Sequence, residues 1–249
     1  MTRLAILADI HGNLPALEAV LADIAATAPD AALLDLGDSV SGPLWPREVL
    51  ALLRARAIPS LRGNHDRWVA QSASPGATDA FARQAVGADG AAWLDALPAL
   101  RQPAPGLVAF HARPDDDDAY LLEDVRDGAL HPARPDVVAA RLAGLPPGRL
   151  VLCAHSHRAA LLALPDGRVV LNPGSVGMPA YADPTPPHPH VSEAGSPHAR
   201  YALAEVAADG APLRVELRAI AYGWQAAADR AAALGRTDWA RWLGSGFAG

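Results

Sequence analysis

The stretch Cys153–Arg158 reads CAHSHR and follows the apolar run Gly148–Leu152. Side chains two apart on an extended segment point to one side, so His155 and His157 can converge where a strand ends. Two imidazoles aimed at one place are costly unless something binds them, and a metal ion is the first candidate. Four other stretches supply similar donors: Asp9 with His11, Asp38, Asn64 with His65, and His111. Together they make two carboxylates, one amide and five imidazoles. Nitrogen and oxygen donors without thiolates suit Mn, Fe, Zn, Ni or Mg. Each residue has an ordinary reading when taken alone. Asp9 can cap a turn, Asp38 can form an Asx-turn, and Asn64 and His65 can shape a tight loop. A lone His such as His111 is more often a satisfied polar residue than a ligand. The metal reading rests on their recurrence at one kind of place.

That place is the C-terminal end of an apolar run. Arg3–Ala8 leads to Asp9, Ala31–Leu36 to Gly37-Asp38, Ile58–Leu61 to RGNHD, Gly106–Phe110 to His111, and Val151–Ala154 to His155. In open α/β sheets that edge is where sites form. Between these strands the sequence predicts helices. Asn13 reads as an N-cap for a helix to about Thr27, with Leu14, Leu17, Leu21 and Ile24 on its core face. Further helices are expected over Trp45–Ala57 and Asp79–Leu97. Pro165-Asp166-Gly167 marks a hairpin between Leu161–Leu164 and Arg168–Leu171. Tyr201–Val206 and Leu213–Ile220 read as later strands, and Trp224–Leu234 and Asp238–Leu243 as closing helices. The alternation argues for an α/β protein with antiparallel strands added. No repeat or linker divides it, so residues 1–249 are expected to form a single domain. Pro179–Pro197 is rich in Pro and His without periodicity. Residues 179–199 therefore read as a surface loop near the site.

The chain has 249 residues, 51% of them hydrophobic and 19% charged, enough for a substantial core. No apolar run is long enough for a transmembrane helix, and MTRLAILADIHGN lacks the apolar region of a signal peptide. The expected setting is cytoplasmic. Cys153 is the only cysteine, so no intrachain disulfide forms, and its apolar surroundings favour a buried core residue over a reactive thiol. The net charge is −6 and every basic residue is Arg. The absence of Lys excludes Schiff-base chemistry and the GK-type phosphate loop. An acidic chain without a basic run also argues against nucleic acid as a polymer substrate.

DIHGN, GDSVSGP, GNHDR, the His of FHARP, and AHSH followed by NPGSVG resemble, in order and spacing, the calcineurin-like metallophosphoesterases. The likeness is to their small prokaryotic phosphodiesterase-like subgroup and spans Leu4 to about Gly177. The resemblance implies mixed sheets in a four-layer α-β-β-α sandwich with two divalent metal ions at the sheet edge. It implies Asp9, His11 and His157 as ligands of one metal, and Asn64, His111 and His155 as ligands of the other. Asp38 would bridge them. It further implies in-line attack on a phosphate ester by a hydroxide bridging the metals, with His65 as the catalytic residue that assists the leaving group.

The chain departs from the family pattern in places. Ala154 and Ala112 stand where Gly is usual. Ser41 stands where protein phosphatases of the superfamily carry the Asp that orients the catalytic His, leaving Ser41, Asp66 or neither to orient His65. Asn13 and Arg113 are the candidate substrate contacts, and a surface role for Arg113 beside Asp115–Asp118 is the alternative. The run Asp115–Asp118 itself reads as a solvated turn, and His188, His190 and His198 as loop residues. Asn172 and Ser175 are expected to support the site, and Trp239 and Trp242 to pack against the body or a partner subunit. The favoured function is a dinuclear metal-dependent hydrolase of a small phosphodiester or phosphomonoester, with manganese among the expected metals. The alternatives are a serine/threonine-type phosphoprotein phosphatase and a non-catalytic sensor or scaffold such as the retromer subunit of this fold, which lacks the catalytic His. The expected partner is the small phosphate-ester substrate, and both a monomer and a homo-oligomer are compatible with the sequence.

Overall fold

The computed structural model describes residues 1–249. In chain order the first half contains β1 (Thr2–Leu7), α1 (Leu14–Thr27), β2 (Ala32–Asp35), α2 (Pro46–Ala55), α3 (Asn64–Gln71), α4 (Ala77–Asp95), β3 (Leu100–Arg101) and β4 (Leu107–Phe110). There follow β5 (Glu123–Arg126), β6 (Ala129–Pro132), α5 (Pro135–Arg141), β7 (Leu150–Leu152), β8 (Ala160–Ala163) and β9 (Val169–Asn172). The chain closes with β10 (Ala180–Asp183), β11 (His190–Glu193), β12 (Ala199–Val206), β13 (Pro212–Ile220), α6 (Trp224–Ala233) and α7 (Thr237–Ser245).

Two sheets carry the architecture, ordered β13-β12-β1-β2 and β3-β4-β7-β9-β8. Alternation along β1 explains how they stack. Leu4 and Ile6 point one way and join Leu34, Leu107, Leu150, Leu152, Leu171 and Ala202 in a dry layer between the sheets. Ala5 and Leu7 point the other way, against Leu17, Val20 and Ile24 of α1 and Val49 and Leu53 of α2. On the far side of the second sheet, Val108, Phe110, Val151 and Cys153 pack on Val138 of α5 and on Leu142. The order is helix, sheet, sheet, helix, the four-layer sandwich the resemblance implies. Cys153 is buried, as its neighbours suggest.

The donors sit where this stacking leaves an edge. β1 and β2 are parallel, as are β4, β7 and β9. Their C-terminal ends therefore open at one end of the sandwich.

Two expectations need correction. Ile58–Leu61 is not a ladder strand, since only Ser60 bridges to Asp35; the segment is too short to pair further. GNHDR, which the sequence reading assigned to no element, opens α3. Residues 179–199 are not a structureless loop. Their ends fold as β10 and β11, which join β6 and β5 in a third sheet. Leu44, Met178 and Ala180 pack with Ala227, Trp239 and Leu243 of α6 and α7, fastening that sheet's start and both closing helices beside the site.

Candidate metal centre

The seven expected ligands converge at the sheet edge. Asp9, His11 and His157 present donor atoms within 4.8 Å of one another, and Asp38, His111 and His155 do the same. Each triplet draws on both sheets: Asp9, His11 and Asp38 follow β1 and β2, while His111, His155 and His157 follow β4 and β7. Asn64 opens α3 at the lip of the same cleft, with His65 beside it.

The backbone marks the same residues. Asp9, His11, Asp38, His155 and His157 all have φ between 50° and 68°, in the left-handed region that non-glycine residues avoid. Each such residue costs about 1–3 kcal/mol and persists only where its surroundings fix it. Ala112 and Ala154 do not adopt positive φ, so the glycines usual there are dispensable here. Gly63 is required for room. A Cβ there would lie 2.6 Å from the Asp38 amide nitrogen and overlap the Asp38 carboxylate.

Hydrogen bonds fix the imidazoles and leave their free nitrogens pointing at one another. Nδ1 of His11 donates to the Ser41 carbonyl at 2.8 Å, and Nδ1 of His157 donates to the Met178 carbonyl at 2.7 Å. With both Nδ1 atoms protonated, the two Nε2 lone pairs face each other across 3.2 Å. His111 donates from Nδ1 to the Leu36 carbonyl at 3.0 Å, which turns its Nε2 toward Asp38 at 3.2 Å. Asp9 Oδ1 and Oδ2 and Asn64 Oδ1 are all buried without a hydrogen-bond partner. Facing lone pairs and orphaned oxygens are repulsive in a protein alone and become favourable around cations. On this ground the residues fit two divalent ions.

The protonation states agree with that reading. Burial, and then His157, push His11 down to about 3; burial and His111 push His155 down to about 3. His111 is different: burial opposes its charge, but Asp38 overrides it and lifts the imidazole to about 10. Asp38 is held well below the usual carboxylate range, burial being outweighed by His111 and His65.

Supports surround the donors. Asp66 accepts from the amides of Asp38 (2.7 Å), Ser39 (3.1 Å) and Gly63 (3.0 Å), clamping the Asp38 loop to the start of α3. It therefore does not orient His65. Ser175 Oγ donates to the Asp9 carbonyl at 2.8 Å, and Asn172 Nδ2 to the Ala154 carbonyl at 2.9 Å, so both brace the site.

What holds His65 is a residue with no signal in the sequence. Nδ1 of His65 donates to Asp79 Oδ1 at 2.8 Å, and Ser41 Oγ donates to the same oxygen at 2.6 Å. Asp79 lies in the first turn of α4 and is buried. Ser41 thus acts both directly, with Oγ 3.2 Å from Nδ1, and through Asp79, and Nε2 is left on the opposite edge of a ring that lines the cleft. Burial works against the imidazolium, but Asp38 and then Asp79 lift His65 to about 9.

Neither expected substrate contact reaches the cleft. Asn13 is buried, with Oδ1 accepting from the Ala16 amide and Nδ2 donating to the Gly177 carbonyl and the Tyr222 hydroxyl. It is an internal brace. The Arg113 guanidinium is held by Asp115 at 3.1 and 2.9 Å and borders a separate surface hollow. The acidic run is only partly a solvated turn, because Asp117 pairs with Arg67 and Asp118 accepts from Asn64 at 3.0 Å. His190 is buried and, like His188, lines the cleft, whereas His198 packs near Trp224. Trp239 and Trp242 pack against the body and also line the cleft.

The sequence model of calcineurin-like phosphoesterases matches residues 2–159. The chain is 28% identical over 193 residues to an uncharacterized protein of Methanocaldococcus jannaschii, covering 71% of this chain and 76% of that one. Its fold is similar to a hypothetical protein from Pyrococcus horikoshii OT3, with a TM-score of 0.77, 22% identity and 100% of both chains covered. It is also similar to a metallophosphoesterase from Sphaerobacter thermophilus, with a TM-score of 0.73, 22% identity and 99% of both chains covered.

Proposed function

The chain belongs to the calcineurin-like phosphoesterase family, and from that premise we propose that it hydrolyses a small phosphate ester, diester or monoester, with two divalent cations. The observation that carries this reading is the pair of donor triplets with unpartnered buried atoms, set beside a His65 that is fixed by its own carboxylate. Asp9, His11 and His157 would hold one cation, and Asn64, His111 and His155 the other, with Asp38 between them. Two such cations would polarise the phosphate and lower the pKa of an attacking water.

The chain's own residues supply the rest. The lip at Asn64 and His65 places an imidazole next to the donors. Asp79 and Ser41 fix its ring, and the Asp79 carboxylate favours its protonated form, so Nε2 can give a proton to the departing oxygen. A non-catalytic sensor would use the ligands without needing the Asp79 clamp on His65. The cleft encloses about 590 Å³, within the size range of small-molecule sites, which favours a small ester over a phosphoprotein or a nucleic-acid polymer.

The test is hydrolysis of a chromogenic diester and its monoester by metal-stripped protein, with Mn, Fe, Ni, Zn and Mg restored singly. Wild type is compared with Asp38→Asn and His65→Ala. Metal-dependent turnover that Asp38→Asn abolishes and that His65→Ala lowers, with metal content retained in His65→Ala, is the expected result. Absence of turnover with every metal, despite bound ions, overturns the reading.

A further inference from the structure

One flank of the sandwich is left open. The end of β2 lies over the end of β4, where His111 bonds the Leu36 carbonyl, and β12 meets the chain just past β9, where the Arg200 amide donates to the Ser175 carbonyl at 2.9 Å. The next strands outward are β13 in one sheet and β8 in the other. At the opposite flank β2 is covered: Asp35 donates to the Pro59 carbonyl and accepts from the Leu61 amide, each at 2.9 Å. β13 has no such neighbour, yet at nine residues it is the longest strand of the chain. Long bare edges invite pairing, and proteins ordinarily blunt them with charge, Pro or a bulge. Here Pro212 and a bulge close only the first residues, and Arg214–Ile220 runs on as regular ladder.

Val215 and Leu217 pair with Ala204 and Ala202, which face the layer between the sheets, so they face it too. Leu217 is nevertheless 44% exposed, and Leu161 of β8, opposite Leu171 on the same layer, is 50% exposed. The dry layer therefore runs out to solvent at this flank. Glu216 and Arg218 pair with Leu203 and Tyr201 and lie on the other face, toward α1. One bond settles where the peptide groups point. Arg200 gives its amide to Ser175, so Arg200 and Ala219 are not a hydrogen-bonded pair, and alternation along an antiparallel ladder extends this to Leu217 and Val215. Val215, Leu217 and Ala219 thus direct their N–H and C=O groups off the open flank.

We infer that this flank pairs with a second copy of the chain, β13 against β13, antiparallel about a two-fold axis at Leu217. Outward-pointing residues must meet outward-pointing ones, so the axis falls on a residue of the ladder and not between two. At Glu216 it would set Glu216 against itself and Arg214 against Arg218, and at Arg218 it would set Arg218 against itself. At Val215 it would lay the bulge against the ladder. At Leu217 it sets Leu217 against Leu217, Val215 against the partner's Ala219, and Glu216 against the partner's Arg218, twice over. Opposite charges across an antiparallel pair are favourable and like charges are not. The self-complementary contact joins the two β13-β12-β1-β2 sheets into one, covers both copies of Leu217 and carries the dry layer on through both.

Sedimentation velocity over a concentration series, on the full chain, tests the inference. Wild type should sediment as a dimer. Leu217→Lys puts two ammonium groups face to face at the axis and should raise the dissociation constant by about tenfold or more. Glu216→Arg sets Arg against Arg and Arg218→Glu sets Glu against Glu, so each alone should also dissociate. Mixed together they should associate again, because every charged cross-strand pair between them is then opposite in sign, and recovery requires that both are folded. Arg218→Glu also loses the 2.9 Å bond to Asp23; should circular dichroism show that variant unfolded, Leu217→Lys and Glu216→Arg decide alone. Wild type that stays monomeric at every concentration overturns the inference. So does a dimer that Leu217→Lys and Glu216→Arg leave intact, or a mixture of folded variants no better associated than its components. None of these outcomes touches the hydrolase reading, since no residue lining the cleft comes from β8, β12 or β13.

Discussion

Replacing Asp79 by Asn removes a charge from the far side of His65 while keeping a side-chain oxygen that can still accept from Nδ1 and from Ser41. What is lost is the charged character of a buried hydrogen bond, 2.8 Å long, to an imidazole lifted to about 9. Hydrogen bonds to charged groups contribute about 1.5–3 kcal/mol. About 2 kcal/mol of lost support for the protonated ring corresponds to about 30-fold in rate. The loss should appear in kcat, because Asp79 reaches the substrate only through His65. It should also depend on the departing oxygen. An alkyl phosphate ester, whose alkoxide needs a proton, should lose the full factor. A p-nitrophenyl ester, whose phenolate leaves unaided, should lose only a few-fold. Asp79→Ala should cost more, about 100-fold for the alkyl ester, because the ring then loses its charged acceptor and keeps only the Ser41 hydroxyl, 3.2 Å from Nδ1. The sign of the pH effect follows. Asp79 raises the His65 pKa, so removing its charge lowers it, and the alkaline limb of kcat moves to lower pH. Steady-state kinetics on the two ester types, with metal content measured alongside, decide the matter. Equal losses on both esters, or a loss that tracks metal content, would refute the assignment of His65 as proton donor and Asp79 as its support.

Gly63→Ala drives a methyl group into the Asp38 amide and carboxylate and should lower both bound metal, by elemental analysis, and stability, by about 2 kcal/mol in denaturant unfolding. Metal uptake should release protons. His111, lifted to about 10 without metal, must lose one to coordinate, whereas His11 and His155, pushed down to about 3, are already neutral near pH 7. Calorimetry in buffers of different ionisation enthalpy should therefore find about one proton per pair of ions from these three rings, and affinity rising with pH toward 10; release of none contradicts the assigned states. Asn13→Ala loses a helix cap and two buried donor contacts, and should cost about 1–2 kcal/mol of stability by thermal unfolding. Arg113→Ala should leave kcat/KM within about twofold, and a larger fall would return Arg113 to the substrate.

The donors were legible because each follows a short apolar run, and such runs are readable from composition alone. The same alternation identified β1, α1 and the β8–β9 hairpin. The segments that escaped reading lack apolar periodicity. NHDRWVAQ is polar along most of its length, yet it forms α3 because Asp38 accepts from the His65 amide at 2.9 Å and Asp66 accepts from Gly63. β10 and β11 lie in a Pro- and His-rich stretch and are held by partners from far along the chain, which no local pattern records. Asp79 was invisible for a related reason. It sits 14 positions from His65 in another helix, where an Asp in the first turn looks like ordinary helix chemistry. Arg113 misled in the opposite way: nearness in sequence to His111 is not nearness to the cleft, because Asp115 claims its guanidinium.

Each donor triplet joins a loop of one sheet to a loop of the other, at the end of the sandwich where the dry layer stops. An ion in either triplet is a rivet across two leaves whose shared layer is built of side chains such as Leu34, Leu107 and Leu152. Linkage is reciprocal. Whatever tightens the leaves sharpens the grip on the ion, and whatever loosens them blunts it. A methyl group pared from Leu152, a residue that touches no substrate and ligates nothing, should therefore register as weaker metal retention at the rim. The apolar interior and the catalytic edge are, in that sense, one mechanical object, and drift in the first is constrained by the demands of the second.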